Sequence, residues 1–201
     1  MTRTERQRIN NIKEQGAVWT RQQKFWLFGT CTYVDGTAVT RQQCVRNAQR
    51  FFNNLDRCVL GRRLYRENTR LPRLVYTETG RFRVNTHIHF YISGYAWQHY
   101  RMIWQTAENT WREQIDGARD CVVHDNLGAH RVHAGYCWKE FDGLSAETLL
   151  TECCYLPTHM YLHRQGRCPY LVYMEKSNRT GSQLVLTWLL FHINLHKYFH
   201  N

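Results

Sequence analysis

The chain has 201 residues, enough for one domain with a sizeable core, and its 14% aromatic content with only three prolines excludes wholesale disorder. Lysine and arginine outnumber the acids by 27 to 16, a formal charge of +11 that favours a polyanionic partner over an acidic-surface role. The first residues are polar and charged, and no apolar run approaches the ~20 residues of a membrane span, so neither a signal peptide nor a membrane segment is predicted.

Residues 1–24 read as a basic N-terminal arm carrying Arg3, Arg6, Arg8, Lys13, Arg21 and Lys24. Phe25 to Val34 is aromatic and β-branched and ends at Asp35-Gly36, the pattern of a strand closed by a turn. Thr40-Arg41-Gln42-Gln43 has the form of a capping box. Val45, Ala48, Phe51, Phe52, Leu55 and Val59 then recur at helical spacing, which predicts a long amphipathic helix with its arginines outward.

Leu74 to Glu78, the turn at Thr79-Gly80, and the run from Arg83 to Ile92 read as a β-hairpin. Its second arm contains Thr86-His87-Ile88-His89-Phe90. Side chains alternate between faces of a strand, so His87 and His89 project together on one face while Ile88 and Phe90 take the other. Two imidazoles side by side either face water or bind something, commonly a divalent metal, and Glu78 on the neighbouring arm is the candidate third ligand if the register suits.

A second helix is predicted from Ala96 to Ile115, on the spacing of Tyr100, Ile103, Trp104, Ala107 and Trp111. Strands follow at Cys121 to His124 and Arg131 to Phe141. Ser145 reads as the N-cap of a third helix reaching Tyr155, with Pro157 ending or bending it, and a last helix runs from Ser182 to Phe199. The elements describe an α+β protein of order βαββαββα, helices packed on an antiparallel sheet with the His-x-His strand at its centre. The eight cysteines contain no Cys-x-x-Cys pair and are expected to be thiols; Cys153, Cys154, His159, His163 and Cys168 form a loose cluster that matches no familiar zinc spacing.

The pair His87-Ile88-His89 resembles the His-hydrophobic-His motif of HUH single-strand endonucleases, the class that includes rolling-circle replication initiators of plasmids and single-stranded DNA phages, relaxases and small transposases. Phe28, Thr30 and Thr32 are similar to that family's first motif, and Glu78 to the acidic ligand many initiators carry. The layout is most like replication proteins of filamentous phages and related prophages. The resemblance spans 25–165, with 166–201 left as a C-terminal helical extension on the same domain.

It implies an HUH/RRM-like fold, Mg²⁺ or Mn²⁺ held by Glu78, His87 and His89, and a tyrosine nucleophile, Tyr155 or Tyr161. The implied reaction cuts single-stranded origin DNA through a covalent 5′-phosphotyrosine to start rolling-circle replication, in a bacterial cytoplasm, with a host helicase and polymerase as partners. The family's lysine, three or four residues after the tyrosine, is missing after Tyr155, whereas Arg164 follows Tyr161 at the third position; His159 and Arg164 are candidates to assist the attack. A transposase of the same chemistry and a non-catalytic single-stranded nucleic-acid-binding protein are the alternatives, and a zinc-dependent regulator using the cluster near residue 160 is a third. Tyr91, Trp97 and Trp104 are candidates for stacking on unpaired bases, set against ordinary core packing.

Overall fold

The computed structural model describes residues 2–23, 25–79, 85–126, 134–135, 137–138 and 148–156. Within them the chain runs α1 (Arg3–Gln22), β1 (Leu27–Tyr33), α2 (Arg41–Arg66), β2 (Arg73–Glu78), β3 (His87–Ile92), α3 (Trp97–Gln114) and β4 (Ala118–Asp125), followed by a short 3₁₀ turn, Thr151–Cys153. The four strands make one antiparallel sheet in the order β2-β3-β1-β4, so the His-x-His strand lies in its interior. The architecture is α+β.

One face of the sheet packs on α2 and α3. Leu27, Cys31, Val75, Ile88, Phe90, Ile92 and Cys121 from the strands meet Phe51, Phe52 and Leu55 of α2 and Ile103, Ala107 and Trp111 of α3, all buried. The aromatic rings interlock edge to face, with Phe51 against Trp111 at 5.6 Å and Phe52 against Phe90 at 5.3 Å. Gly29 is required here, because a Cβ at that position would lie 2.1 Å from the Phe90 ring. Thr40 caps α2 through the expected capping box with Gln43. The helix kinks at Gly61, whose φ of 77° is open to glycine and strained for other residues.

The opposite, histidine-bearing face is covered over half its length. The stretch read as a basic arm is instead the helix α1, which starts at a capping box of Thr2 and Glu5 and buries Ile12, Gly16, Ala17, Trp19 and Thr20 along one side. Ala17 and Trp19 join Phe28, Leu74, Tyr76 and Tyr91 of the sheet together with Trp138 and Leu149. Trp138 also donates its indole N–H to Thr20 at 3.1 Å and lies where a Cβ on Gly16 would sit.

Two further expectations change. The described part of the Arg131–Phe141 stretch, residues 134–135 and 137–138, is in helical turns rather than a strand. The third helix ending at Tyr155 is also absent from the described 148–156. That segment lies along β2, with bridges Leu149 to Tyr76 and Tyr155 to Arg73, and its helical residues, Thr148 and Thr151–Cys153, are 3₁₀. The edge of β2 exposes unpaired amides and carbonyls, and satisfying them outweighs a modest helix propensity. Leu150 donates to the Val75 carbonyl at 2.9 Å, and Arg73 and Tyr155 exchange two backbone bonds at 2.7 and 3.0 Å. The predicted last helix, Ser182 to Phe199, lies outside the described residues.

The start of β2 is held by a buried ion pair. Arg73 donates to both carboxylate oxygens of Asp56 at 2.9 Å and to the carbonyls of Cys153 and Leu71, while the Leu71 amide also donates to Asp56. Burial pushes the Asp56 carboxyl above its ordinary value even though Arg73 and Arg70 oppose the shift. Removing one partner of such a pair leaves an uncompensated buried charge. Asp56→Ala is therefore expected to lower the unfolding free energy by about 3–5 kcal/mol in urea titration, far more than an exposed-charge substitution such as Arg63→Ala.

Candidate metal centre

The hairpin register decides the site. Glu78 pairs directly with His87, Tyr76 with His89, and Thr30 of β1 faces His89 from the other side. Directly paired residues of antiparallel strands point to the same face, so Glu78, His87, His89 and Thr30 converge. No bulge intervenes between β2 and β3. The Glu78 Oε2 lies 2.8 Å from His89 Nε2 and 3.4 Å from His87 Nε2. Their ligand atoms all fall within 4.8 Å of one another, and this is the grouping of three His, Cys, Asp or Glu side chains with that geometry among the described residues.

The surroundings orient both imidazoles. His87 Nδ1 lies 2.8 Å from the Asn85 carbonyl oxygen, which can only accept, so Nδ1 carries the proton and donates. A neutral His87 then presents its Nε2 lone pair towards Glu78. His89 Nδ1 is 2.9 Å from the Thr30 hydroxyl. That hydroxyl can donate or accept, so it supports either tautomer of His89: Nε2–H donating to the Glu78 carboxylate, or Nδ1–H donating to Thr30 with Nε2 left as a ligand. Phe28 stacks on the His89 ring at 5.5 Å, and the two histidine rings meet edge to face at 4.9 Å. Glu78 and His89 are buried and His87 is half-buried, so the cluster opens to one side.

This donor set fits a metal ion. Two imidazoles and one carboxylate, with their outer nitrogens held by a carbonyl and a hydroxyl, are the ligands and supporting contacts that Mn²⁺, Fe²⁺ or Zn²⁺ sites use, with coordination positions left over for a substrate oxygen. The half of the sheet beyond the cluster, Thr32 of β1 with Val122 and His124 of β4, is the part of this face that α1 leaves open. Val122 is 50% exposed although it stands in a strand, which leaves room for a bound molecule beside the cluster.

The predicted tyrosines stand apart from this centre. Tyr155 pairs with Arg73 at the opposite end of β2 from Glu78, a separation of five residues or about 17 Å along the strand. Its hydroxyl lies against that of Tyr95, which burial pushes above its ordinary value. Tyr161, His159 and Arg164 lie outside the described residues. In the proposed zinc cluster, Cys154 turns its thiol to the backbone of Val75 and Leu150, and Cys153 turns to the Val45 carbonyl. Burial pushes both thiols up to about 12, the reverse of what a zinc thiolate needs. His159, His163 and Cys168 are outside the described residues. Of the stacking candidates, Tyr91 is buried, whereas Trp97 and Trp104 are exposed.

Thr30 is the contributor that motif reading undervalued as a supporting group; its place two residues after Phe28, on the strand adjacent to the histidines, was the available signal. Among the described residues no helix is long and apolar enough to cross a membrane. Comparison with protein-family models, with curated proteins and with solved structures gives no match.

Calorimetric titration with Mn²⁺ is expected to show one site per chain, lost in Glu78→Gln and weakened in His87→Ala and His89→Ala. Thr30→Val, which removes the hydroxyl behind His89, is expected to weaken binding about 10–100-fold without abolishing it.

Proposed function

We propose that the protein is a metal-dependent, HUH-type DNA nicking and joining enzyme that starts rolling-circle replication at a single-stranded origin. The observation that carries the reading is the convergence of Glu78, His87 and His89 on one point of one face of an antiparallel sheet. Two imidazoles beside a single carboxylate suit Mn²⁺ better than the oxygen-seeking Mg²⁺. Bound there, the ion would supply Lewis-acid polarisation of a phosphate oxygen.

The chain's own groups account for the remaining roles. His87 and His89 are held in place by Asn85 and Thr30, so the site needs little reorganisation to receive a phosphodiester. A tyrosine oxygen attacks phosphorus as it gives up its proton, the bond from phosphorus to the 3′ oxygen breaks, and that oxygen takes up a proton, leaving a 5′-phosphotyrosine and a free 3′-hydroxyl. Reversal joins the strand.

Tyr161 is the better assignment for the nucleophile. Tyr155 is tied by two backbone bonds to Arg73, far from Glu78, whereas the six residues from Tyr155 to Tyr161 can span about 20 Å, more than the ~17 Å back to the cluster. The position of Tyr155 is also what favours the second reading, a single-stranded nucleic-acid-binding protein that does not cut. A transposase would use the same chemistry, and nothing about the cluster separates it from an initiator.

Incubation with single-stranded origin-derived DNA and Mn²⁺ is expected to give a covalent protein–DNA adduct on a denaturing gel. Tyr161→Phe should abolish the adduct, Tyr155→Phe should retain it, and His87→Ala should slow its formation about a thousandfold. An adduct lost in Tyr155→Phe and kept in Tyr161→Phe would reverse the assignment; no adduct with any strand of the cognate element would leave the binding-protein reading.

A further inference from the structure

α3 carries a ladder of rings on its outer side, of which Tyr100, like the neighbouring Trp26, also packs partly against the core. The helix buries Ile103, Ala107, Thr110 and Trp111 against the sheet and α2, and that side is complete. On its outer side Trp97 and Trp104 are 58% and 43% exposed, with half-buried Tyr100 between them. Trp97 and Tyr100 stack nearly parallel, 4.6 Å apart and 7° between planes, and Tyr100 meets Trp104 at 5.9 Å. Trp26, just before β1, extends the row, its ring 6.4 Å from Trp97.

We infer that this ladder is a stacking platform for the unpaired bases of single-stranded DNA. The inference rests on the function proposed above only for its choice of DNA.

Three observations favour that occupant over a protein partner. Among the described residues of α3 the exposed side is aromatic and polar: the flanking exposed residues are Gln98, Arg101 and Gln105, which can donate to bases and phosphates, whereas protein interfaces bury aliphatic groups as well. The nearest acid along the same side of the helix, Glu108, is offset by Arg112 at 3.3 Å; Asp125 also lies near Tyr100, on the β4 flank. The chain carries a formal charge of +11, and a polyanion is the partner that charge recruits.

β4 links the surroundings of the metal centre to those of the ladder. On β4, Val122 stands opposite Thr30, His124 opposite Phe28, and the Asn126 amide donates to the Trp26 carbonyl at 2.9 Å. Val122 and His124 are exposed on the histidine face, and buried Asn126 lies four residues, or about 13 Å of strand, from Val122, while the ladder stands on α3 against the opposite face. A strand held at both sites would pass round that end of the sheet. The ladder would hold the strand on one side of the scissile phosphate.

The test is binding of a short oligothymidylate to the full-length protein in EDTA, where metal-dependent nicking plays no part and its failure has no bearing. Fluorescence anisotropy is expected to give at least tenfold weaker binding for Trp97→Ala/Trp104→Ala, near-native binding for Trp97→Phe/Trp104→Phe, and an unchanged affinity for duplex of equal length. Crosslinking of an iododeoxyuridine oligonucleotide to the unmutated protein should map to Trp97, Tyr100 or Trp104, which keeps the question answerable if the double alanine variant folds poorly. Native-like binding by the alanine variant, crosslinks confined to other segments, or a change of oligomeric state in place of a change of affinity would each overturn the platform.

Discussion

The register of β2 against β3 is the constraint on which the candidate site depends. Side chains alternate along a strand, so a slip of one residue would turn Glu78 to the α2/α3 face while the histidines stayed where they are. Packing and a charge pair hold the register at opposite ends. Val75, Ile88, Phe90 and Ile92 are buried against α2 and α3, and none of them can be exposed without a large loss of apolar burial. At the start of β2, Arg73 is locked to Asp56 and to the Cys153 carbonyl, and at the far end Asn85 donates to the Thr79 carbonyl across the hairpin loop. The same bonds that close the fold also aim the cluster.

The histidine face is divided between structure and chemistry. Where Phe28, Leu74, Tyr76 and Tyr91 project, α1 and Trp138 cover it and complete a second core. Where Glu78, His87, Thr30 and Thr32 project, it borders the exposed Val122 and His124. His89 stands at the boundary, with Phe28 stacked on its ring, the Thr30 hydroxyl on one nitrogen and the Glu78 carboxylate by the other. A boundary position gives an imidazole a lowered dielectric and a fixed orientation while a substrate can still reach its neighbour His87.

Elements whose patterns are carried by packing were legible in the chain. The period-two placement of His87 and His89, the capping box at Thr40, and the helical spacing of Tyr100 to Trp111 all lead to the observed β3, α2 and α3, with α3 matched to one residue at each end, β3 beginning at His87 and α2 running on past Val59 to Arg66. Helix α1 reads as an arm in the sequence because its charges dominate, although Thr2 with Glu5 and the row Ile12, Gly16, Trp19 and Thr20 carry a helix signal. The segment around Tyr155 misled for a different reason: Ser145 to Tyr155 has local helix character, but the hydrogen-bonding demand of the β2 edge is set by a strand some 75 residues away and has no local mark in the sequence. The contact between Glu78 and the histidines was visible only as a possibility of register, since alternation says which residues share a face and not which residues face each other.

The most direct test of the account is electron spin echo spectroscopy of Mn²⁺ bound to protein labelled with ¹⁵N-histidine. The account predicts one Mn²⁺ per chain coupled to two histidine nitrogens, with one coupling lost in His87→Ala and the other in His89→Ala. Absence of bound Mn²⁺, or nitrogen couplings that survive both substitutions, would contradict it.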